Sequence, residues 1–169
     1  TASGTLSWTN ASTLYGAHFI GENYGGGIVF YVFDNGKHGL IVSTEDQSTG
    51  VSWYNGSYIT TNALRDGVNA GLLNTERIIF SQGAGNYAAQ IAANYKGGGY
   101  GDWYLPSMDE LKLLVQNRNL ISGSGFNINL SYWTSTETNQ NYAYQMSTGG
   151  NFGWALKGTL NYVIPIRSF

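Results

Sequence analysis

Gly101-Asp102-Trp103-Tyr104-Leu105-Pro106-Ser107-Met108-Asp109-Glu110-Leu111 contains an aromatic extended segment, a forced stop and a helix start in one short run. Trp103-Tyr104-Leu105 has the bulky composition of a buried strand. Pro106 has no amide to continue a ladder, and it biases Leu105 toward extended geometry, so the strand must end there. Ser107 and Glu110 then stand at capping-box spacing: the Ser107 hydroxyl can accept from the Glu110 amide while the Glu110 carboxylate reaches back to the Ser107 amide. A helix is therefore predicted from Met108, with Asp109 and Glu110 at the positive end of its dipole. Paired acids in a first helical turn are capping groups before they are catalysts, so the stretch speaks for architecture.

Working outward, Met108, Leu111, Leu114 and Val115 form the apolar stripe of this helix, and Arg118 suits its negative end. Upstream, Tyr87, Ala88, Ile91, Ala92 and Tyr95 share one face of a helix over 87–95, which Gly97-Gly98-Gly99 ends. A shorter capped helix is predicted over 74–80. Earlier still, Ile28-Val29-Phe30-Tyr31-Val32-Phe33 reads as a strand covered on both faces. Asp34-Asn35-Gly36-Lys37 supplies the Asn-Gly pair of a type I′ hairpin leading to Leu40-Ile41-Val42. Downstream, strands are predicted over 132–137, 142–147, 152–156 and 162–167, with Thr148-Gly149-Gly150-Asn151 as a hairpin turn and Pro165 at an edge. Strands, two main helices, then a C-terminal β-meander make an α+β domain with mostly antiparallel sheets. Residues 1–19 read as a lead-in segment and 20–169 as a single domain.

The length of 169 residues and a hydrophobic content of 42% suffice for one full core. Lys+Arg 8 against Asp+Glu 10 gives a net charge of -2, and no two of the basic residues are adjacent, which disfavours nucleic acid or an anionic membrane as partner. The absence of cysteine removes disulfides, thiolate nucleophiles and Cys-based metal sites. His18 and His38 are too far apart for a ligand pair, and the adjacent Glu45 and Asp46 lack the alternating spacing of a calcium loop. Gly25-Gly26-Gly27 precedes a strand instead of joining strand to helix, and no Gly-Lys-Ser/Thr follows, so it is not a phosphate loop. No apolar run approaches a membrane span, and no basic-then-apolar run of the signal type is read in this sequence. The many Gly, Tyr and Trp residues with few charges favour an extracellular or cell-surface setting.

The blocks Trp103 to Leu111, Tyr132-Trp133-Thr134-Ser135-Thr136-Glu137 and Val163-Ile164-Pro165-Ile166-Arg167-Ser168-Phe169 resemble a group of bacterial surface domains found at the C-terminal end of collagen-like adhesins. Gly25 to Val32, Lys37-His38-Gly39-Leu40 and Gly97 to Trp103 extend the similarity over about residues 20 to 169. The resemblance implies a C-type-lectin-like fold, shared more distantly with the formylglycine-generating enzymes, whose Leu-Pro-Thr-x-x-Glu-Trp helix start is similar to Leu105 to Leu111. Those enzymes depend on active-site cysteines, so their oxidase chemistry does not carry over. Calcium-dependent lectins read sugars through Glu-Pro-Asn or Gln-Pro-Asp loops, whereas Pro106 and Pro165 here follow Leu105 and Ile164. The expectation is therefore calcium-independent, with no metal and no cofactor. Collagen-like adhesins engage sulfated host glycans through basic surface, which this acidic chain does not advertise.

The function expected is non-catalytic recognition or adhesion at a bacterial or phage surface, with a glycan or surface-protein ligand. Aromatic faces stack on sugar C–H surfaces, and Asn and Tyr suit adaptable polar recognition. The candidate ligand residues are Phe126, Asn127, Asn129, Asn139, Asn141, Tyr144, Asn151 and Trp154, in the helix-to-strand loop and on the meander. The alternative is a structural assembly or capping domain of a surface fibre, with aromatics buried between subunits of a homo-oligomer such as a trimer. An enzyme using Glu137 or Asp102 as acid or base would need a second carboxylate in a cleft, and no motif supports it.

Overall fold

The computed structural model describes residues 16–169, and most of the lead-in lies outside them. In chain order the elements are β1 (Asn23–Tyr24), β2 (Gly27–Phe33), β3 (His38–Val42), β4 (Ser48–Val51), α1 (Ala70–Gln82), α2 (Ala88–Asn94), α3 (Met108–Asn117), β5 (Tyr132–Glu137), β6 (Tyr142–Ser147), β7 (Asn151–Leu156), β8 (Asn161–Val163) and β9 (Ile166–Ser168). They build two sheets, β1-β2-β3-β9 and β4-β8-β5-β6-β7, with helices packed between and beside them. The class is α+β. All pairings are antiparallel except β5 with β8, where Tyr132 faces Tyr162 in parallel.

The stretch Trp103-Tyr104-Leu105 explains why two sheets form one body. Extended backbone turns successive side chains in different directions, and each of these three residues enters a different apolar cluster. Tyr104 joins Ile28, Phe30, Leu40, Val42, Leu111, Leu114, Tyr132 and Met146 between the two sheets and α3. Leu105 joins Trp53, Ile78, Tyr87, Ala88, Ala92, Trp133 and Val163 under α1 and α2. Trp103 packs with Val29 and Ile41 on the other face of the first sheet. The segment itself makes only a two-bond bridge to Ile166, with Tyr104 N donating to Ile166 O at 2.8 Å and Ile166 N to Tyr104 O at 3.0 Å. The three residues act as a pin through the core rather than as a full strand.

Other expectations change in instructive ways. Among the described residues three α-helices form instead of two main ones. The first is the longest, and it begins at Ala70 rather than at residue 74. Asn74 is a fully buried helix residue, whose amide donates to Arg65 O at 2.7 Å and whose Oδ1 accepts from Arg65 N at 3.1 Å. The Asn-Gly hairpin is a four-residue connection between Phe33 and His38, with positive φ at Asp34, Asn35 and Gly36, so the two-residue type I′ turn does not form. The run 162–167 is not one strand. Val163 ends β8 in one sheet, buried Ile164-Pro165 cross over, and β9 begins at Ile166 in the other. Pro165 thus sits at a crossing between sheets instead of at an edge, where its carbonyl accepts from Ser43 N at 3.0 Å. The C-terminal strands are consequently a β5-β6-β7 meander plus a strand that returns to the far side of β5.

Near the start of the described residues, the His18 ring stacks on Tyr24 at 3.7 Å and meets the edge of Phe169 at 4.8 Å. His18 N also donates to Gly36 O at 2.8 Å. The first and last described segments therefore meet on the β1–β9 sheet.

Candidate functional site

The buried charged groups are committed to architecture. Glu110 forms the predicted capping box with Ser107: Ser107 N donates to Glu110 Oε2 at 2.8 Å, and Glu110 N to Ser107 Oγ at 3.2 Å. The same carboxylate accepts from Gly71 N at 3.1 Å, Asn69 N at 2.8 Å and the Tyr104 hydroxyl at 3.0 Å. One side chain thus caps two helices. Asn69 adopts a left-handed conformation and makes no side-chain cap of its own. Gly71 is required because a Cβ there would overlap Glu110 Oε2. Burial pushes the Glu110 carboxyl up from its ordinary range, while the donors from Ser107, Tyr104 and Asn69 hold it down.

Glu137 and Asp102, the two conceivable acid-base groups, are engaged similarly. Glu137 pairs with the fully buried Lys157 and accepts from the amides of Thr61 and Asn62. The Lys157 ammonium also donates to Ile59 O at 2.9 Å and lies 4.6 Å from the Trp53 ring centroid. Burial lowers the Lys157 pKa, and Glu137 opposes that shift. Asp102 takes two bonds from Arg167, at 2.8 and 2.9 Å, which hold its carboxyl below the usual carboxylate range. Arg167 in turn lies over Tyr100 at 3.8 Å and donates to Gly25 O, tying the first sheet to the 97–102 segment. Among the described residues, no three His, Asp or Glu gather as a set of metal ligands. Among the described residues, no helix is long and apolar enough to cross a membrane.

The candidate ligand residues fall into two groups at different places on the β5-β6-β7 meander. Phe126, Asn127 and Asn129 lie in the loop before β5, close to the β6–β7 turn that precedes Asn151; Gly149 N donates to Ile128 O at 2.8 Å. Phe126 is half-buried against Tyr132, with ring centroids 5.3 Å apart. Asn127 Oδ1 accepts from Asn129 N at 2.9 Å, and Asn151 Nδ2 donates to Thr148 O at 3.3 Å. These amides brace their own turns. At the other turn, Asn139 Oδ1 accepts from Asn141 N and Tyr142 N, leaving the exposed Asn141 side chain and Gln140 at the rim.

Tyr144 and Trp154 are brought together by register. They are direct partners across β6 and β7, and so are Tyr142 with Leu156 and Met146 with Phe152. Direct antiparallel partners share a face, so these six side chains form one row. Met146 is buried at one end, where Lys112 of α3 reaches over Phe152 at 5.9 Å. The row emerges into solvent at the other end: Trp154 is 60% exposed and Leu156 46%. Tyr142 meets the Trp154 indole edge-on at 4.9 Å, which fixes the ring without covering it. Tyr142 and Leu156 are not among the candidate residues read from the sequence. The alternation of apolar residues at 142, 144 and 146 against 152, 154 and 156 is the signal that would have found both.

Beneath the 126–129 loop, the Tyr132 hydroxyl donates to Asp46 Oδ2 at 3.1 Å and accepts from Asn127 N at 3.1 Å. Asp46 Oδ1 is buried without a partner, and burial raises the carboxyl to about 6 against the pull of the Tyr132 hydrogen bond.

Residues 43–167 match the family model of the Lcl C-terminal domain, from the end of β3 into β9. The chain belongs to that family. No curated protein matches this Lcl C-terminal domain. Among solved structures it is similar to a fimbrial protein from Bacteroides ovatus ATCC 8483, with a TM-score of 0.58 at 18% sequence identity. The match covers 85% of this chain and 44% of the fimbrial protein, so this Lcl C-terminal domain spans less than half of that neighbour's length. At that identity the likeness is one of fold.

Proposed function

We propose that this Lcl C-terminal domain is a non-catalytic, extracellular recognition module of C-type-lectin-like architecture, displayed at a bacterial surface and binding a glycan or surface-protein ligand without calcium. The observation that carries the reading is the Trp154 indole, 60% exposed yet held edge-on by Tyr142 on a regular hairpin. An aromatic face kept rigid in solvent loses little conformational freedom on binding, and it suits sugar C–H faces or an interface anchor. Tyr144 extends the shelf, and Asn139 and Asn141 supply a polar rim. Phe126, Asn127, Asn129 and Asn151 form a second edge of the same meander. The commitment of Glu137 and Asp102 to ion pairs supports a non-enzymatic role. Family membership fits the C-terminal position such domains hold in collagen-like adhesins, and the fimbrial neighbour fits a surface or fibre setting.

A glycan-array screen of the purified domain, with and without chelator, tests this reading. Specific binding that survives chelation and falls at least about tenfold in W154A, a loss of about 1.4 kcal/mol, supports it. Unchanged affinity in a folded W154A removes the shelf from the site.

A second reading, assembly into a surface fibre, draws on β7 itself. It is the edge of its sheet, and Asn151–Leu156 contains no charge or proline to discourage strand addition. Light scattering separates the two: a stable trimer that buries Trp154 and binds no ligand favours assembly.

A further inference from the structure

Helix α1 turns Ala70, Gly71, Asn74, Thr75 and Ile78 inward and leaves Leu72, Leu73, Glu76, Arg77 and Phe80 outward. Its outer face is not the polar face a surface helix normally shows. Phe80 is 92% exposed, and Leu64, Val68, Leu72 and Leu73 are also open to solvent. A depression of about 490 Å³ lies between Asn62, Arg65, Leu73, Arg77 and Phe80. It shares Arg65 and Leu73 with a second of about 370 Å³, which adds Val68 and Asn69. Those two residues in turn border a third of about 300 Å³ that ends on Tyr31 and Phe33. Shared walls make the three depressions one trough along α1, and a helix of 13 residues is about 20 Å long.

The charges along the trough are uneven. Lys37, Lys112, Lys157 and Arg167 each have a carboxylate partner, whereas Arg65, Arg77, Lys96 and Arg118 have none among the described residues; of these four, Arg65 and Arg77 line the trough, and Arg77 Nη1 donates to Asn62 O at 3.5 Å. Both border the same depression in a chain of net charge -2. The acids nearby are Glu76, which lines the depression, and Asp66, whose Oδ1 already accepts from the amides of Gly67 and Asp109. Two guanidinium groups without a carboxylate partner, beside an uncovered phenylalanine and a row of leucines, have the composition of an interface centre. Aliphatic side chains gain by covering apolar groups, not sugar hydroxyls, and arginine forks favour carboxylates.

We propose that the α1 trough docks a segment of a partner polypeptide in which bulky apolar residues alternate with glutamate or aspartate. The apolar side chains cover Leu73 and Phe80, and the carboxylates pair with Arg65 and Arg77. The surface is separate from the Trp154 shelf and does not depend on it.

The probe is a short synthetic peptide alternating leucine or phenylalanine with glutamate, titrated into the isotopically labelled domain and followed by amide chemical shifts. Its glutamine counterpart and a sulfated oligosaccharide serve as comparisons. Saturable shifts at Leu73, Arg77 and Phe80, binding about tenfold weaker for the glutamine peptide, and the same weakening in R65Q/R77Q support the proposal; tenfold corresponds to one strong charge-assisted contact. F80S removes binding, while W154A leaves it unchanged. Because Arg65, Arg77 and Phe80 are exposed, these variants keep the fold, which the undisturbed remainder of the spectrum verifies. Absence of saturable shifts, equal affinity for the two peptides, or preference for the oligosaccharide overturns the proposal. So does peptide-free, concentration-dependent shifting at the same amides with a doubled mass, which would make a second copy the occupant.

Discussion

Replacing Glu110 by alanine is the most direct challenge to the account of how the fold is held. The carboxylate accepts from Ser107 N, Gly71 N, Asn69 N and the Tyr104 hydroxyl. Ser107, Gly71 and Tyr104 are buried, so water cannot fully replace the lost acceptor. Each buried orphan donor costs about 1–3 kcal/mol, while removing the carboxylate also relieves the cost of burying a charge. The expected net destabilisation of E110A is about 4 kcal/mol. E110Q retains one carbonyl but points an amide NH₂ at donors, for an expected cost of about 2–3 kcal/mol. An ordinary capping-box acid serves one helix and is worth about 1 kcal/mol. Urea unfolding followed by circular dichroism, with the slope checked for constancy, reads these differences directly. A cost for E110A near 1 kcal/mol would refute the claim that this side chain joins α1 to α3, because the local box alone would then explain it.

Other perturbations test separate parts of the structure. G71A forces a Cβ into Glu110 Oε2 and the Leu105 carbonyl, and is expected to lower stability by about 2–3 kcal/mol despite alanine's better helix propensity; a stabilised G71A in urea unfolding would contradict the close approach. K157M leaves Glu137 buried without its cation and is expected to cost about 3–5 kcal/mol, whereas the double variant E137Q/K157M recovers much of it; the comparison is a double-mutant cycle by thermal or urea unfolding. The Asp46 carboxyl, raised from 3.8 to about 6 in the folded chain, holds its proton where the unfolded chain releases it. Its effect is therefore most favourable below about pH 4 and is lost as pH rises through about 6, by about 1–2 kcal/mol after solvent screening. D46N is expected to flatten that slope of stability against pH, and an unchanged slope would assign it to another group.

The helix cap and apolar stripe set by neighbouring residues were readable from the sequence, whereas the local Asn35-Gly36 signal misled and the parts set by distant partners were not legible. The box at Ser107 and Glu110 and the apolar stripe of α3 depend on residues three or four apart, and both form as read. The start of α1 was missed because its amides are capped by Glu110, remote in sequence, and because Asn69 enters the helix from a left-handed conformation without capping it. The Val163-Ile164-Pro165-Ile166 run looks like one strand because both halves are apolar, and only the presence of two sheets reveals that the chain changes layer there. Trp133 and Trp154 each sit in a six-residue strand that also carries a second aromatic, yet one is wholly buried and the other mostly exposed. Strand order separates them, since β5 is interior and β7 is an edge. The α1 trough was hidden by the same error that shortened its helix, because a helix read over 74–80 leaves Leu72 and Leu73 in a loop.

The cluster of His18, Tyr24 and Phe169 has a mechanical consequence. Because residues near both limits of the described chain touch there, tension applied across them enters the domain at one corner. It pulls β9 away from β3 beginning at the Phe169 end, where Gly39 and Phe169 exchange two backbone bonds, and these bonds open in succession instead of sharing the load. The sheet that carries Trp154 lies outside that path until β9 has peeled back to Ile166. The hairpin that bears Trp154 thus belongs to the part of the molecule that feels the pull last.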